Sequence, residues 1–130
     1  MAETVKLPLT GGCLCGECRY ELSAAPYFAY VCHCTDCRRT SGSAFTFYAI
    51  WPLSAFECEG ATASHKGRSF CPTCGGQVFS LNETEAEIMA GTLDEAPSDQ
   101  VPQYELWTHR REPWLQALPW ARQFDGNREE

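Results

Sequence analysis

Nine cysteines in a chain of 130 residues are the side chains with the most chemistry to offer. Eight of them stand in three tight groups: Cys13, Cys15 and Cys18; Cys32, Cys34 and Cys37; Cys71 and Cys74. With one or two residues between neighbours, these sulfurs converge on a common centre more readily than on separate partners. That is the pattern of metal ligation. A complete set of disulfides is also excluded by the odd count, which leaves one thiol over. The stretch Met1 to Pro8 has neither a basic segment nor an apolar one of the kind that opens a secretory signal, so the expected compartment is the reducing cytoplasm.

A closed structural zinc takes four ligands, commonly thiolates. Cys71-Pro72-Thr73-Cys74-Gly75-Gly76 is a strong half-site, because the glycines let the backbone curl round a metal. Its natural complement is the glycine-flanked pair in Gly12-Cys13-Leu14-Cys15-Gly16. A zinc on Cys13, Cys15, Cys71 and Cys74 would cross-link the two halves of a small domain and supply much of its folding free energy.

Cys32, Cys34 and Cys37 remain, three thiolates with no fourth cysteine in their group. Three protein ligands and a vacancy make the arrangement of a catalytic zinc. His33 lies between two of them, but in an extended segment its side chain points away from theirs. Spacing alone leaves one ambiguity, because Cys-x-Cys-x-x-Cys occurs both at Cys13/15/18 and at Cys32/34/37.

The charge is concentrated in an informative way. Ten Lys and Arg against 17 Asp and Glu give a net charge of −7. Such a chain is repelled by nucleic-acid phosphates, so a zinc-ribbon nucleic-acid binder is disfavoured. Yet Arg38 and Arg39 follow the second group directly, and residues 61–82 carry Lys66 and Arg68 and no acid. These cations either offset thiolate charge or receive an anionic substrate. Cys18 and Cys58 read as small packed hydrophobes. Trp107, Trp114 and Trp120 read as core or edge packing. His65 and His109 carry no spacing signal.

The elements that must hold these groups are short. Arg19 to Leu22 alternates like a strand with one buried face. Further strands are expected over Tyr27 to Val31, Ala44 to Trp51, Gln77 to Leu81 and Tyr104 to Thr108. A short helical turn after the second group should end at Gly42, and one short helix fits within Glu112 to Phe124. Gly60 and Gly67 mark turns, and Asp125 to Glu130 reads as a frayed tail. No apolar run approaches the roughly 18 residues of a membrane span. With 44% hydrophobic residues and no linker, the chain reads as one mainly β domain over residues 1–130, with its core at about 11–124.

These residues resemble a known family. Gly-Gly-Cys-Leu-Cys-Gly with Arg19-Tyr20, then Cys32-His33-Cys34-x-x-Cys37-Arg38-Arg39-x-Ser41-Gly42, is similar to the glutathione-dependent formaldehyde-activating enzymes. Arg68-x-Phe70-Cys71-x-x-Cys74-Gly75 and Gly91-Thr92-Leu93-Asp94 continue the likeness in order. The resemblance implies several coiled antiparallel sheets, the β-tent arrangement, and two zinc ions per chain. Cys13, Cys15, Cys71 and Cys74 would hold the structural ion, and Cys32, Cys34 and Cys37 the open one. The implied activity joins glutathione and formaldehyde into S-hydroxymethylglutathione, a carbon–sulfur lyase reaction run in reverse. Cys18 departs from the pattern, which usually has a small or aliphatic residue there.

The expected function is therefore zinc-dependent carbon–sulfur chemistry on a small thiol. Arg38, Arg39, Lys66 and Arg68 are candidate contacts for the substrate's anionic groups. The alternative is a non-catalytic zinc module that binds a metabolite or a protein.

Overall fold

A computed structural model describes residues 7–128 of the chain, so Met1 to Lys6 and the last two residues lie outside it. Eleven short strands and one helix follow one another in the order β1 (Leu9–Gly12), β2 (Arg19–Leu22), β3 (Phe28–Cys32), α1 (Thr35–Ser41), β4 (Thr46–Pro52) and β5 (Phe56–Glu59). Then come β6 (Ala63–His65), β7 (Arg68–Phe70), β8 (Gln77–Leu81), β9 (Glu85–Met89), β10 (Tyr104–Leu106) and β11 (Arg122–Gln123).

The strands form two sheets. One has three strands in the order β1-β2-β5, and the other has eight, in the order β11-β10-β3-β4-β9-β8-β7-β6. Pairing is antiparallel except at β10, which runs parallel to both β3 and β11. The long acidic loop between β9 and β10 makes this possible, because a parallel strand cannot be reached by a tight turn.

The main core lies between the sheets. Tyr20 and Leu22 of β2 meet Ala49 and Trp51 of β4, Val78 and Phe79 of β8, and Ala86 and Ile88 of β9. Alternation explains the choice on β2, where Arg19 and Glu21 are exposed and Tyr20 and Leu22 buried. Trp51 is wholly buried, and its indole N–H donates to the Ala24 carbonyl at 2.8 Å. Gly11 has no room for a side chain: a Cβ there would lie 2.4 Å from the Thr92 carbonyl oxygen and 2.3 Å from the Tyr20 hydroxyl. The small sheet is tied to the segment after β9 by this approach, by the Gly11–Leu93 bridge, and by the Asp94 N–H donating to the Thr10 carbonyl.

Four readings change at this point. Residues 112–124 form turns and β11 rather than a helix, because Pro113 and Pro119 interrupt any helical ladder and the Leu118 N–H is taken by Glu105. Trp114 and Trp120 are 72% and 60% exposed, outside the core. The tail is tied down over residues 125–128. Trp107 N–H donates to the Gly126 carbonyl, its indole donates to Asn127, and the Arg128 guanidinium lies 4.4 Å from the centre of the Phe28 ring. Finally, β5 precedes Gly60, and β6 and β7 flank Gly67 in the polar stretch, where neither alternates between buried and exposed residues.

Candidate metal centre

Two hairpin tips, one from each sheet, meet at the first cysteine group. Cys13 and Cys15 lie in the turn between β1 and β2, closed by Cys13 N–H to the Cys18 carbonyl at 3.0 Å and by Gly16 at a φ of 87°. Cys71 and Cys74 lie in the turn between β7 and β8, closed by Cys71 N–H to the Gly76 carbonyl at 2.9 Å and by Gly75 at 78°. L side chains strain in that left-handed region, so glycine suits both turns.

The four sulfurs lie within 4.8 Å of one another. Cys13 and Cys15 are 3.6 Å apart, and Cys15 and Cys71 3.7 Å. A tetrahedron with metal–sulfur bonds of about 2.3 Å has sulfur–sulfur edges of about 3.8 Å. The donor set thus fits a tetrahedral zinc. The Cys18 N–H, 3.3 Å from Cys13 Sγ, together with the Cys15 and Cys71 thiols, brings Cys13 down to about 6 against the pull of burial. Cys15 goes the other way, to about 12. Its backbone hydrogen bond is outweighed by burial and three neighbouring thiols that compete for the same negative charge.

The second group is built where β3 runs into α1. Cys32 ends β3, Cys34 caps the helix by accepting the Cys37 N–H at 3.3 Å on its sulfur, and Cys37 is buried in the first turn. These three sulfurs also lie within 4.8 Å of one another, and among the described residues no fourth His, Cys, Asp or Glu joins them. Cys37 is held down at about 6 by the Cys32 thiol, then by the Tyr48 hydroxyl 3.2 Å away, the Cys34 thiol and the Arg68 charge. Cys32 is pushed far up, because its proton is shared toward Cys37 and the site is buried.

His33 does turn away, and the structure gives it a partner that the sequence reading missed. Its Nε2 lies 3.0 Å from Glu105 Oε2, and its backbone N–H donates to the Leu106 carbonyl. Glu105 is the hub of this corner, also accepting from Leu118 N–H, Gln123 and Arg111. Tyr48 was missed too. Its signal was its place on an aromatic strand that must cross behind the cysteines. An acid flanked by Tyr104 and Leu106 in a strand was the corresponding hint for Glu105.

The four candidate cations divide. Arg38 and Arg39 line one groove of about 380 Å³, with Thr35, Ser43 and Arg110. Thr35, Arg38 and Arg39 share one face of α1 at helical spacing. Arg38 is partly committed, since it donates to Glu112 and to the Arg110 carbonyl. Lys66 and Arg68 line a different groove of about 300 Å³ beside Glu85 and Glu87. Arg68 also bears on the second group, its positive charge favouring the thiolate of Cys37. His65 and His109 join neither cysteine group.

Two sheets joined by hairpin knuckles, with one complete thiol set and one set of three, define a small cysteine-rich β protein able to hold metal. The family description "Glutathione-dependent formaldehyde-activating enzyme" matches residues 8–110, and the chain belongs to that family. A structural-genomics crystal structure of a Rhodobacter sphaeroides protein is similar in fold, with a TM-score of 0.55 and 23% identity. That match covers 72% of this chain and 97% of the other. No curated protein matches the sequence. Among the described residues no helix is long and apolar enough to cross a membrane.

Proposed function

We propose that this chain is a zinc enzyme of carbon–sulfur chemistry, joining a small thiol to a carbonyl carbon or releasing it, with glutathione and formaldehyde as the first candidates. One observation carries the reading: a complete four-thiol set stands beside a separate set of three, with no fourth ligand among the described residues. The family supports the same reaction class. Zinc, when bound by Cys32, Cys34 and Cys37, would supply a mild Lewis acid that favours the thiolate form of a substrate sulfur. Cys13, Cys15, Cys71 and Cys74 would hold a second, structural ion.

The chain's own residues do the rest. Glu105 and His33 hold the Cys32–Cys34 segment, and Tyr48 hydrogen-bonds Cys37. The groove of Arg38, Arg39 and Arg110 suits the carboxylates of a thiol such as glutathione. Arg68 offsets negative charge around Cys37. In the joining direction sulfur bonds to the carbonyl carbon, and the thiol's proton ends on the carbonyl oxygen. The working compartment is the cytoplasm, where small thiols stay reduced.

Calorimetry of the zinc-loaded protein with glutathione, in buffers of different ionisation enthalpy, tests the reading. Binding should release a proton, and Cys34→Ser should abolish that release. Exchange NMR with formaldehyde should then show adduct formation faster than the spontaneous background. Binding without acceleration would support the binding-module alternative. Failure of every small thiol to bind would overturn the thiol-activation mechanism.

A further inference from the structure

Two cysteines stand outside both metal-type groups, and the fold brings them together. Cys18, just before β2, and Cys58, on β5, are 40 residues apart in sequence with their sulfurs 3.8 Å apart. In the β2–β5 ladder Tyr20 faces Cys58 and Arg19 faces Glu59. Cys18 therefore follows on the same face as Tyr20, as the diagonal neighbour of Cys58. Cys18 is fully buried in the core, whereas Cys58 is partly buried at its edge. The backbone at this corner is closely packed, since a Cβ on Gly60 would lie 1.9 Å from the Glu17 carbonyl oxygen.

We propose that Cys18 and Cys58 are a reversible dithiol, a modification site oxidised to a disulfide by hydrogen peroxide. Closing 3.8 Å to a bond of about 2.05 Å asks the sulfurs to approach by about 1.8 Å. The chemistry begins at the accessible sulfur. Cys58 attacks one peroxide oxygen, the O–O bond breaks, and Cys58 keeps that oxygen as a sulfenic acid while the other leaves as water. Cys18 then attacks the Cys58 sulfur, the S–S bond forms, and the sulfenic oxygen leaves as a second water. Together the thiols lose two electrons and two protons, and the peroxide takes up both.

Alternation turns Glu57 and Glu59 to the other face of β5, where with Arg19 and Glu21 they line a cleft of about 190 Å³. Cys58 is reached instead from the side of Tyr20 and Cys18, where it packs against the core, so the oxidant must be small, as hydrogen peroxide is. The resulting bond would clamp residues 18–58, the stretch that carries Cys32, Cys34 and Cys37, while using none of the seven metal-type thiols.

The test treats the metal-loaded full chain with hydrogen peroxide and follows intact mass, a non-reducing peptide map and metal content. The expected result is a loss of about 2 Da, a peptide joining Cys18 to Cys58, unchanged metal content and a raised Tm. Cys58→Ser and Cys18→Ala should each prevent the cross-link, and a thiol reductant should restore the starting mass. Because Cys58 lies at the edge of the core and is only partly buried, its serine variant should keep the fold and isolate the chemistry. The proposal is overturned if the first disulfide joins two of the seven clustered cysteines, or if Cys58→Ser loses the same mass. It is equally overturned if Cys58 proceeds to sulfinic acid without ever joining Cys18.

Discussion

His33 and Glu105 are 3.0 Å apart through Nε2 and Oε2, and both are sealed from solvent, at 1% and 3% exposure. The pair joins β3 to β10 at the point where Cys32 faces Leu106. A histidine between two cluster cysteines thus works as an anchor for the segment, pointing away from the sulfurs it separates. Buried ionisable groups persist only when such partners are present.

Removing the carboxylate should therefore be costly. Glu105→Ala leaves His33 and Arg111 facing a void, and urea unfolding should show a loss of about 3–5 kcal/mol. Glu105→Gln keeps part of the hydrogen bonding and should lose distinctly less. Equal losses from both variants would mean that the charge contributes nothing.

Glu105, buried, and Glu87, partly buried, both in the large sheet, should give opposite pH dependences. Burial pushes Glu105 up, but hydrogen bonds from His33, Leu118 and Gln123, with the Arg111 charge, outweigh it and hold its carboxyl below the usual range. Its stabilisation is full above about pH 4.5 and is lost as pH falls through the lower folded value. Burial raises Glu87, against the hydrogen bond from Tyr30. Its contribution is full below about pH 4.5 and is lost as pH rises through the raised folded value. Unfolding free energies between about pH 3 and 7 should lose the acid-side slope in Glu105→Gln and the opposing component in Glu87→Gln.

The two cysteine groups should respond differently to serine. Cys74→Ser breaks a set that joins hairpin tips from different sheets, so it should cost several kcal/mol and reduce soluble yield. Cys34→Ser alters a set within one continuous segment and should leave a folded protein with less bound metal. Circular dichroism and metal analysis measure both. Equal unfolding by the two variants would refute the division of roles.

Tyr48→Phe tests the support behind the second group. Its hydroxyl donates to Cys37 Sγ at 3.2 Å, and losing such a partner typically weakens metal binding about 10- to 100-fold. A chelator titration should show this phase released earlier, with the four-cysteine phase unmoved.

Much of the site was legible because its ligands are close in sequence. Cys32, Cys34 and Cys37 span six residues, and glycine after each knuckle of the other group announced its turns. Glu105, Tyr48 and the sulfur facing Cys18 were not legible, since each lies on a strand remote in sequence. The helix expected within residues 112–124 failed for a related reason. Glu105, from another element, takes the Leu118 N–H that a helix would have used.

Cysteine spacing and strand alternation by themselves determined the three cysteine groups and the β class, because convergence within a group and the period of two are local properties; that Cys71 and Cys74 meet Cys13 and Cys15 was decided by the fold. Only the tertiary structure decided that Arg38 and Arg39 face a different groove from Lys66 and Arg68. It alone ran β10 parallel to β3, gave His33 a buried acid, and brought Cys18 to Cys58. Strand order sets those distances, and strand order follows from the burial of whole sheet faces, which no short stretch of sequence contains.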